Sequence, residues 1–446
     1  MIREHFDTLA DAVCQVASDN DQKRVTLNLS AEQSDFIRLN RARVRQATSV
    51  QQQNVTVSVI DGQRRASSTV SLPADQSTAQ ALLTKERDSL IELLPMVPED
   101  PHLMLTDTIE STSREAPAGS LTPPGEVIAP LLAQAGNADL VGFYAAGPVT
   151  RAYADSRGQR NWHQIASFHL DWSLYSAGVA KDRAVKSSYA GQQFDASELS
   201  LRVHRAKEQL AWLERPAREV SPGAHRVWLA PAAVAELLQA MAWSGFSRKE
   251  RSSGTSSLIK LANGETAMHQ SVSMTESIAR GIAPRFTASG HVRPDDVMLI
   301  DRGKPANTLV SPRSAAEFDE SANAAASEYP EALEMSGGDI PTDQSLAALD
   351  TGLWIGNLWY LNYSDRQAAR VTGMTRFACF QVENGAIVGP VGVMRFDDSL
   401  LNLFGDKLAG LSQEVEFIPG SSTWGEREIN SVRCPGMLLS ELKLTL

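Results

Sequence analysis

Residues 55–72 read VTVSVIDGQRRASSTVSL, and this stretch decides the fold class. Every second residue from Val55 to Val59 is valine, which is the two-residue period of a half-buried β-strand. Asp61-Gly62 follows at once, and this pair favours a tight hairpin because both residues of such a turn need positive φ. The stretch therefore predicts an antiparallel β-hairpin with Asp61-Gly62 at its turn.

The neighbouring segments extend this hairpin into a meander with flanking helices. Val25 begins another alternating run, and residues 36–39 continue it after a polar segment that we interpret as a turn. Residues 23–72 are therefore predicted to form an antiparallel meander. Apolar residues at spacings of three and four predict helices over residues 3–17 and about 75–94.

The middle of the chain contains the predicted domain boundary. Residues 110–126 are rich in Ser, Thr, Pro and Gly and are predicted to be an exposed loop. A predicted helix over residues 197–215 ends at Pro216. We therefore predict a first domain at residues 1–218 and a second domain at residues 222–446.

The second half continues the mixture of strands and helices. Asn384-Gly385 predicts another hairpin turn, and apolar residues at helical spacing predict a helix over residues 397–412. Strands and helices follow one another without a regular βαβ rhythm, which favours an α+β fold. The expected architecture is two domains in which helices pack on antiparallel sheets.

Composition limits the classes of function. The 446 residues carry 42 Lys and Arg against 53 Asp and Glu, a net charge of −11. An acidic surface repels phosphate backbones, so nucleic-acid binding is not expected. Four arginines lie close together and are interpreted as a solvated strand-and-turn surface: Arg38, Arg41, Arg43 and Arg45.

Cysteine content and hydropathy indicate the compartment. The three cysteines include no CxxC pair, which favours a reducing environment. Neither a secretory signal nor a stretch of about 18 apolar residues is found, so no membrane association is expected. These observations predict a cytoplasmic protein.

A search for catalytic motifs finds none. The eight histidines form neither HExxH nor HExxxH, and the closest pair, His163 and His169, is interpreted as polar surface. No GxSxG or P-loop motif occurs. Cys434 is placed in a turn before the last strand and interpreted as a packing residue, while Cys14 and Cys379 are predicted to be buried.

One aromatic-rich segment stands out after Gly352. Tryptophan, tyrosine and asparagine are concentrated there, and such side chains are frequent at binding surfaces. The segment is a candidate for a peptide groove, and a domain core or a subunit interface is an equally open interpretation. Its candidate residues are Trp354, Asn357, Trp359, Tyr360, Asn362 and Tyr363.

Several segments together resemble the TldD/PmbA metallopeptidase family, and they occur in the order expected for that family. They begin with the FIRLN segment at residues 36–40 and the hairpin at residues 55–72. They continue in the second half with VWLAPAAVA at residues 227–235 and FQVENGAI at residues 380–387. CPGMLLSELKL at residues 434–444 completes the series.

The resemblance implies a subunit of a heterodimeric zinc peptidase. The TldD-like subunit of this family carries HExxxH on a helix and a further cysteine ligand near its carboxyl end. In this chain the corresponding helix has Glu236 and Gln239 without histidine, and Cys434 occupies the cysteine position. The resemblance therefore implies a TldE-like chain that binds no cofactor itself, with zinc expected in a TldD-like partner. Residues 353–370 depart from the glycine-rich stretch expected for the family.

The functional expectation follows from the resemblance. The chain is expected to be a catalytically inactive subunit that helps to hold unfolded peptides or peptide precursors through strand addition. One alternative is a homodimeric peptide-binding module without proteolytic activity, and another is an autonomous metallopeptidase. The expected partners are a TldD-like zinc subunit and an unfolded peptide, with a homodimer possible for the isolated chain.

Overall fold

The computed structural model describes residues 2–15, 23–106, 108–116, 119, 121–176 and 183–445. Its helices are α1 Arg3–Cys14, α2 Gln76–Leu93, α3 Pro124–Ala135, α4 Ala196–Leu213, α5 Pro231–Ala242, α6 Arg248–Ser252, α7 Ile259–Ala262, α8 Pro312–Phe318, α9 Ser345–Leu349 and α10 Leu400–Leu403. No helix in these ranges is both long enough and apolar enough to cross a membrane.

The strands alternate with these helices along the chain. They are β1 Arg24–Asn40, β2 Arg43–Asp61, β3 Arg64–Ser71, β4 Ser113–Arg114, β5 Asp139–Asp155, β6 Arg160–Tyr175, β7 Ala184–Gly191, β8 Gly223–Leu229, β9 Met274–Ser277, β10 Asp296–Asp301, β11 Lys304–Pro305, β12 Ala332–Met335, β13 Gly352–Asp365, β14 Arg370–Glu383, β15 Ala386–Pro390, β16 Arg395–Ser399, β17 Leu408–Pro419 and β18 Ser431–Leu444.

The first sheet contains the predicted meander. Seven strands take the order β3-β2-β1-β5-β6-β4, and β7 also pairs with β6. Helices α1 and α2 cover the apolar face of the sheet that includes Leu27 and Val57, and Leu83 of α2 packs in the same core. The 55–72 hairpin is confirmed, but its turn residues are Gly62 and Gln63, because Asp61 still pairs with Arg64.

One element of the meander differs from its prediction. No turn separates Val25 from residues 36–39, because β1 pairs with β2 along its whole length. The polar middle of β1 stays in the strand because its backbone pairs with β2 and β5, and its side chains find partners in β2 and in the second half of the chain. Glu32 accepts a hydrogen bond from the backbone N–H of Arg427 (3.3 Å), and Ser30 donates to Glu426.

The second sheet has eleven strands, with β8, β13, β14, β16 and β18 joined in a closed ring of pairings. Most pairs are antiparallel, but β8 is parallel to β13 and β12 is parallel to β18. The Asn384-Gly385 turn is confirmed, and both residues have positive φ (51° and 73°). The α+β fold class is confirmed, but both sheets contain parallel pairs where antiparallel sheets alone were expected, since β4 is parallel to β6 in the first sheet.

The helix predicted over residues 397–412 is wrong. Only Leu400–Leu403 are helical, between β16 and β17. The apolar residues of this segment, including Leu408 and Leu411, are nevertheless buried in one core. The spacing of these leucines reflects their burial and not a continuous helix. They reach one core from a short helix and from a strand, so tertiary packing overrides the local pattern.

The two sheets share core residues and polar contacts. Phe380 of β14 packs edge-on against Trp212 near the end of α4, with ring centroids 5.7 Å apart. Both His163 and His169 are buried, so their predicted surface positions are wrong. The burial of His163 is tolerated because its ring has a hydrogen-bond partner. Nε2 lies 3.0 Å from the carbonyl oxygen of Ile282, which belongs to the second half of the chain.

Acid is expected to weaken this contact between the halves. Burial lowers the pKa of His163 from 6.5 to about 4. Between these values the unfolded chain binds more protons than the native chain, so stability falls as pH falls. Urea unfolding should show that the wild-type free energy of unfolding falls by about 2 kcal/mol between pH 7 and pH 5 because of this histidine. We expect His163→Gln to abolish that fall. The matched control, His5→Gln at an exposed position, should retain the wild-type pH dependence.

Candidate functional site

Helix α5 presents two different faces. It begins with Pro231, whose fixed φ suits the first helical turn. One face is buried in the core and consists of Ala233, Val234, Leu237, Leu238 and Met241. Glu236, Gln239 and Trp243 recur at spacings of three and four, so they lie on the opposite face. This second face forms one wall of a candidate binding site.

The other wall comes from the distal half of β13. Leu361, Asn362 and Tyr363 face the α5 residues across an open cavity of about 340 Å³, and Tyr329 closes another side. This volume is at the lower end of the range for ligand pockets. The cavity therefore has room for one large side chain or a similarly small ligand.

A bulge in β13 controls which residues reach the cavity. The register against β14 shifts between Trp359 and Asn362, and Tyr360 has a φ of 59°. This left-handed conformation is costly for an aromatic residue and marks a locally imposed geometry. Trp359 and Tyr360 consequently remain exposed, at 47% and 76%, whereas Leu361 and Tyr363 pack against the core.

Tyr363 connects the two walls. Its hydroxyl donates a hydrogen bond to the carbonyl oxygen of Ala240 in α5, at 2.8 Å. Its ring lies 6.4 Å from the ring of Trp243, and the Arg366 guanidinium is 5.4 Å from Trp243 and 5.8 Å from Tyr363. Burial raises the pKa of Tyr363, so the hydroxyl stays protonated at neutral pH. These contacts hold a rigid aromatic corner.

Glu236 is the carboxylate of the cavity. Within the described ranges it has no hydrogen-bond or ion-pair partner. Burial raises its pKa, and the positive charge of Lys186 opposes that change. Lys186 itself is paired with Asp171 at 3.1 Å. Glu236 is therefore a half-buried acid, and Lys186, the cation that influences it electrostatically, forms its ion pair with Asp171 instead.

The structure divides the predicted aromatic cluster. Asn362 and Tyr363 line the cavity, as do Glu236 and Gln239 from the predicted degenerate metal-site positions. Trp354 instead packs against Phe380, with ring centroids 5.9 Å apart, in the core shared by the two halves.

The remaining residues of that cluster lie outside the cavity. Asn357 pairs in register with Arg376, and the guanidinium of Arg376 stacks 4.4 Å from the ring of Trp359. Trp359 and Tyr360 lie 5.5 Å apart on the exposed side. The predicted set therefore contributes to a core, an exposed aromatic pair and a cavity.

Sequence reasoning missed several lining residues. Trp243 lies seven residues after Glu236, so continuing the helical spacing by two turns would have identified it. Leu361 was hidden by the bulge, because the two-residue period does not continue through Tyr360. Tyr329 lies far from both walls in sequence, and no local signal marks it.

Cys434 lies within β18, so its predicted position in a turn is wrong. The strand begins at Ser431 and continues through Cys434 because that segment pairs with both β17 and β12. The thiol is fully buried and donates to the carbonyl oxygen of Pro231 (3.3 Å), and burial raises its pKa. Cys14 and Cys379 are also buried, as predicted.

The donor set around α5 does not suit a divalent metal. Glu236 supplies one carboxylate and Gln239 one neutral amide, while the Cys434 thiol is held protonated against Pro231. Zinc sites require three or four deprotonated or imidazole ligands around one point. No group of three or more His, Cys, Asp or Glu side chains with metal-binding geometry occurs among the described residues.

Comparisons with known proteins identify the fold. The family model for the PmbA/TldA metallopeptidase C-terminal domain matches residues 222–446. TldE from Thermococcus kodakarensis matches with a TM-score of 0.77 and 12% identity, covering 99% of both chains. A proposed modulator of a DNA gyrase from Thermotoga maritima matches with a TM-score of 0.76 and 14% identity over 100% of both chains.

A proposed modulator of DNA gyrase from Bacteroides thetaiotaomicron is similar as well, with a TM-score of 0.75 and 16% identity over 100% of both chains. No curated protein matches this chain in sequence. The α+β architecture and the matched domain define a protein with a metallopeptidase-type fold. The chain belongs to the TldD/PmbA family, which confirms the resemblance.

Proposed function

We propose that this chain is a non-catalytic, TldE-like subunit of a peptidase, and that its partner is a zinc-carrying TldD-like chain. The observation that carries the proposal is the donor chemistry at α5. A member of a metallopeptidase family has Glu236 and Gln239 where a metal motif is expected, and its Cys434 thiol is bonded to Pro231. Hydrolysis is therefore assigned to the partner.

The cavity supports a role in holding substrate. It is open to solvent, it has aromatic walls, and it contains a carboxylate without a partner in the described ranges. Binding sites combine apolar walls with a few polar groups in this way. The substrate is an unfolded peptide or peptide precursor, bound in an extended form, and the complex acts in the cytoplasm.

Reconstitution tests the proposal. The chain is co-expressed with a homologous chain from the same genome that contains HExxxH, and one of the two carries an affinity tag. We expect both chains to co-purify and to cleave unfolded casein in a chelator-sensitive manner, because only the partner supplies a zinc-activated water. Each chain alone is the control, together with a mixture in which the partner's glutamate in that motif is replaced by glutamine.

Two results would contradict the proposal. Zinc bound one to one by this chain alone, with chelator-sensitive cleavage, would identify an autonomous metallopeptidase. A stable homodimer that binds peptide without cutting it, and that forms no complex with the zinc-carrying chain, would identify a peptide-binding module instead. Metal analysis and light scattering on the purified chain separate these outcomes.

A further inference from the structure

The cavity beside α5 combines a carboxylate, apolar walls and a limited size, and these features together select a ligand. Its carboxylate, Glu236, is half-buried and without a hydrogen-bond or ion-pair partner in the described ranges. Its walls are apolar or aromatic at Trp243, Tyr329 and Leu361. Removing a carboxylate from water without a partner is unfavourable, and a ligand that supplies a cationic donor reverses that cost.

Neighbouring cations leave this position open. Lys186 is close enough to affect Glu236 electrostatically, but its ammonium group is paired with Asp171 at 3.1 Å. Arg366 stacks on Trp243 and Tyr363, at the aromatic corner. Neither cation is within ion-pair distance of the Glu236 carboxylate. The carboxylate is therefore available to a positive group that enters from solvent.

The size of the cavity limits the ligand. About 340 Å³ accommodates a single long side chain and excludes a folded segment. The apolar walls can contact an alkyl stem, while the exposed Gln239 amide offers a second acceptor near the charged end. Lysine and arginine have this form, an apolar stem with a cationic head.

We propose that the cavity formed by α5 and β13 is a specificity pocket for a lysine or arginine side chain of an extended peptide, with Glu236 as the ion-pair partner. The inference rests on the proposed peptide-binding role and adds the class of residue that is selected. A basic side chain enters with its stem along Leu361 and Tyr329 and its charge against Glu236.

The test uses two small probes with stems of nearly equal length. Nα-acetyl-lysine N-methylamide and Nα-acetyl-norleucine N-methylamide are titrated into the full chain and followed by calorimetry and by tryptophan fluorescence. We expect the wild-type chain to prefer the lysine probe, and Glu236→Gln to reduce this preference roughly tenfold, the size of one lost charge-assisted hydrogen bond. Added salt should weaken lysine binding and leave the norleucine probe unaffected.

Three further variants make the result specific. Glu236→Lys should reject the lysine probe and bind Nα-acetyl-glutamate N-methylamide instead, which a merely structural role would not produce. Glu92→Gln makes the same charge change at an exposed position of α2 and should leave both affinities unchanged. Trp243→Phe should abolish the fluorescence response, which identifies the ring at the wall of the cavity as its source. Circular dichroism confirms that each variant is folded.

Equal affinity for the two probes, absence of binding to either, or a lysine preference that survives Glu236→Gln would overturn the pocket assignment. These results are independent of reconstitution with the zinc-carrying partner. If reconstitution succeeds and the lysine preference is absent, only the pocket assignment fails. If the preference is present and no partner complex forms, the pocket stands and the proposed subunit role fails.

Discussion

Replacing Asp155 with asparagine is expected to lower the free energy of unfolding by about 3–5 kcal/mol, the cost of breaking a buried ion pair on one side. Asp155 is fully buried at the end of β5, and its Oδ2 lies 2.6 Å from Nη2 of Arg24 in β1. Its Oδ1 accepts the backbone N–H groups of Arg157 and Gln159, both at 3.0 Å. Asparagine retains one acceptor but leaves the Arg24 charge uncompensated.

The effect extends beyond the first sheet because the turn that Asp155 organises contacts the second half. The amide of Gln159 donates to the carbonyl oxygen of Gly290 at 2.6 Å. Urea unfolding measures the loss, and Asp7→Asn is the matched control. Asp7 forms an exposed pair with Arg3 at 3.6 Å, and such pairs contribute about 1 kcal/mol or less. Equal effects of the two substitutions would contradict the assigned role of Asp155.

The sequence predicts well those parts of the fold whose conformation is set by a few adjacent residues. Gly62, Asn384 and Gly385 adopt positive φ in turns, and such requirements are visible in two or three adjacent residues. The failure at residues 397–412 has a tertiary cause, since leucines at helical spacing reach one core from different elements. The uninterrupted strand β1 has a similar cause, because its polar middle pairs with β5 and bonds to residues some 395 positions away.

The sequence could predict only those parts of the candidate site that lie within a single segment of the chain. Glu236 and Gln239 were identified through the family resemblance, as degenerate metal-site positions on one helix, and Asn362 and Tyr363 were identified from one aromatic-rich segment. Nothing local indicated that these two groups face each other, because the hydrogen bond between Tyr363 and Ala240 spans 123 positions. The bulge at Tyr360 reverses the outward and inward sides of β13, which a two-residue period cannot anticipate.

Arg427 fixes the second half of the chain to the first sheet. It lies between β17 and β18, only 6% exposed, and inserts its guanidinium into the first sheet. Nη1 donates to the carbonyl oxygen of Gly147, and Nη2 donates to the carbonyl oxygen and hydroxyl of Ser167, at 2.9–3.0 Å. Burial lowers the pKa of Arg427, and the charge of Glu32 opposes that change. The side chain therefore supplies hydrogen-bond donors to three buried acceptors.

Arg427→Met should cost about 3 kcal/mol or more in urea unfolding, because it leaves buried acceptors unsatisfied and removes a positive charge near the buried Glu32. Arg427→Lys keeps the positive charge but lacks the planar guanidinium fork. Its free energy of unfolding should therefore lie between those of the wild type and Arg427→Met. Arg302→Met changes a side chain that is 80% exposed and serves as the control.

Global stability alone would not locate the effect of Arg427, so hydrogen exchange is the deciding measurement. Faster exchange should appear first around Gly147, Ser167 and residues 424–427, where the two halves meet. A large loss of stability with unchanged relative exchange at the junction would mean that Arg427 stabilises the first sheet alone. The position of the cavity relative to that sheet would then have to be maintained by the aromatic contacts of Phe380.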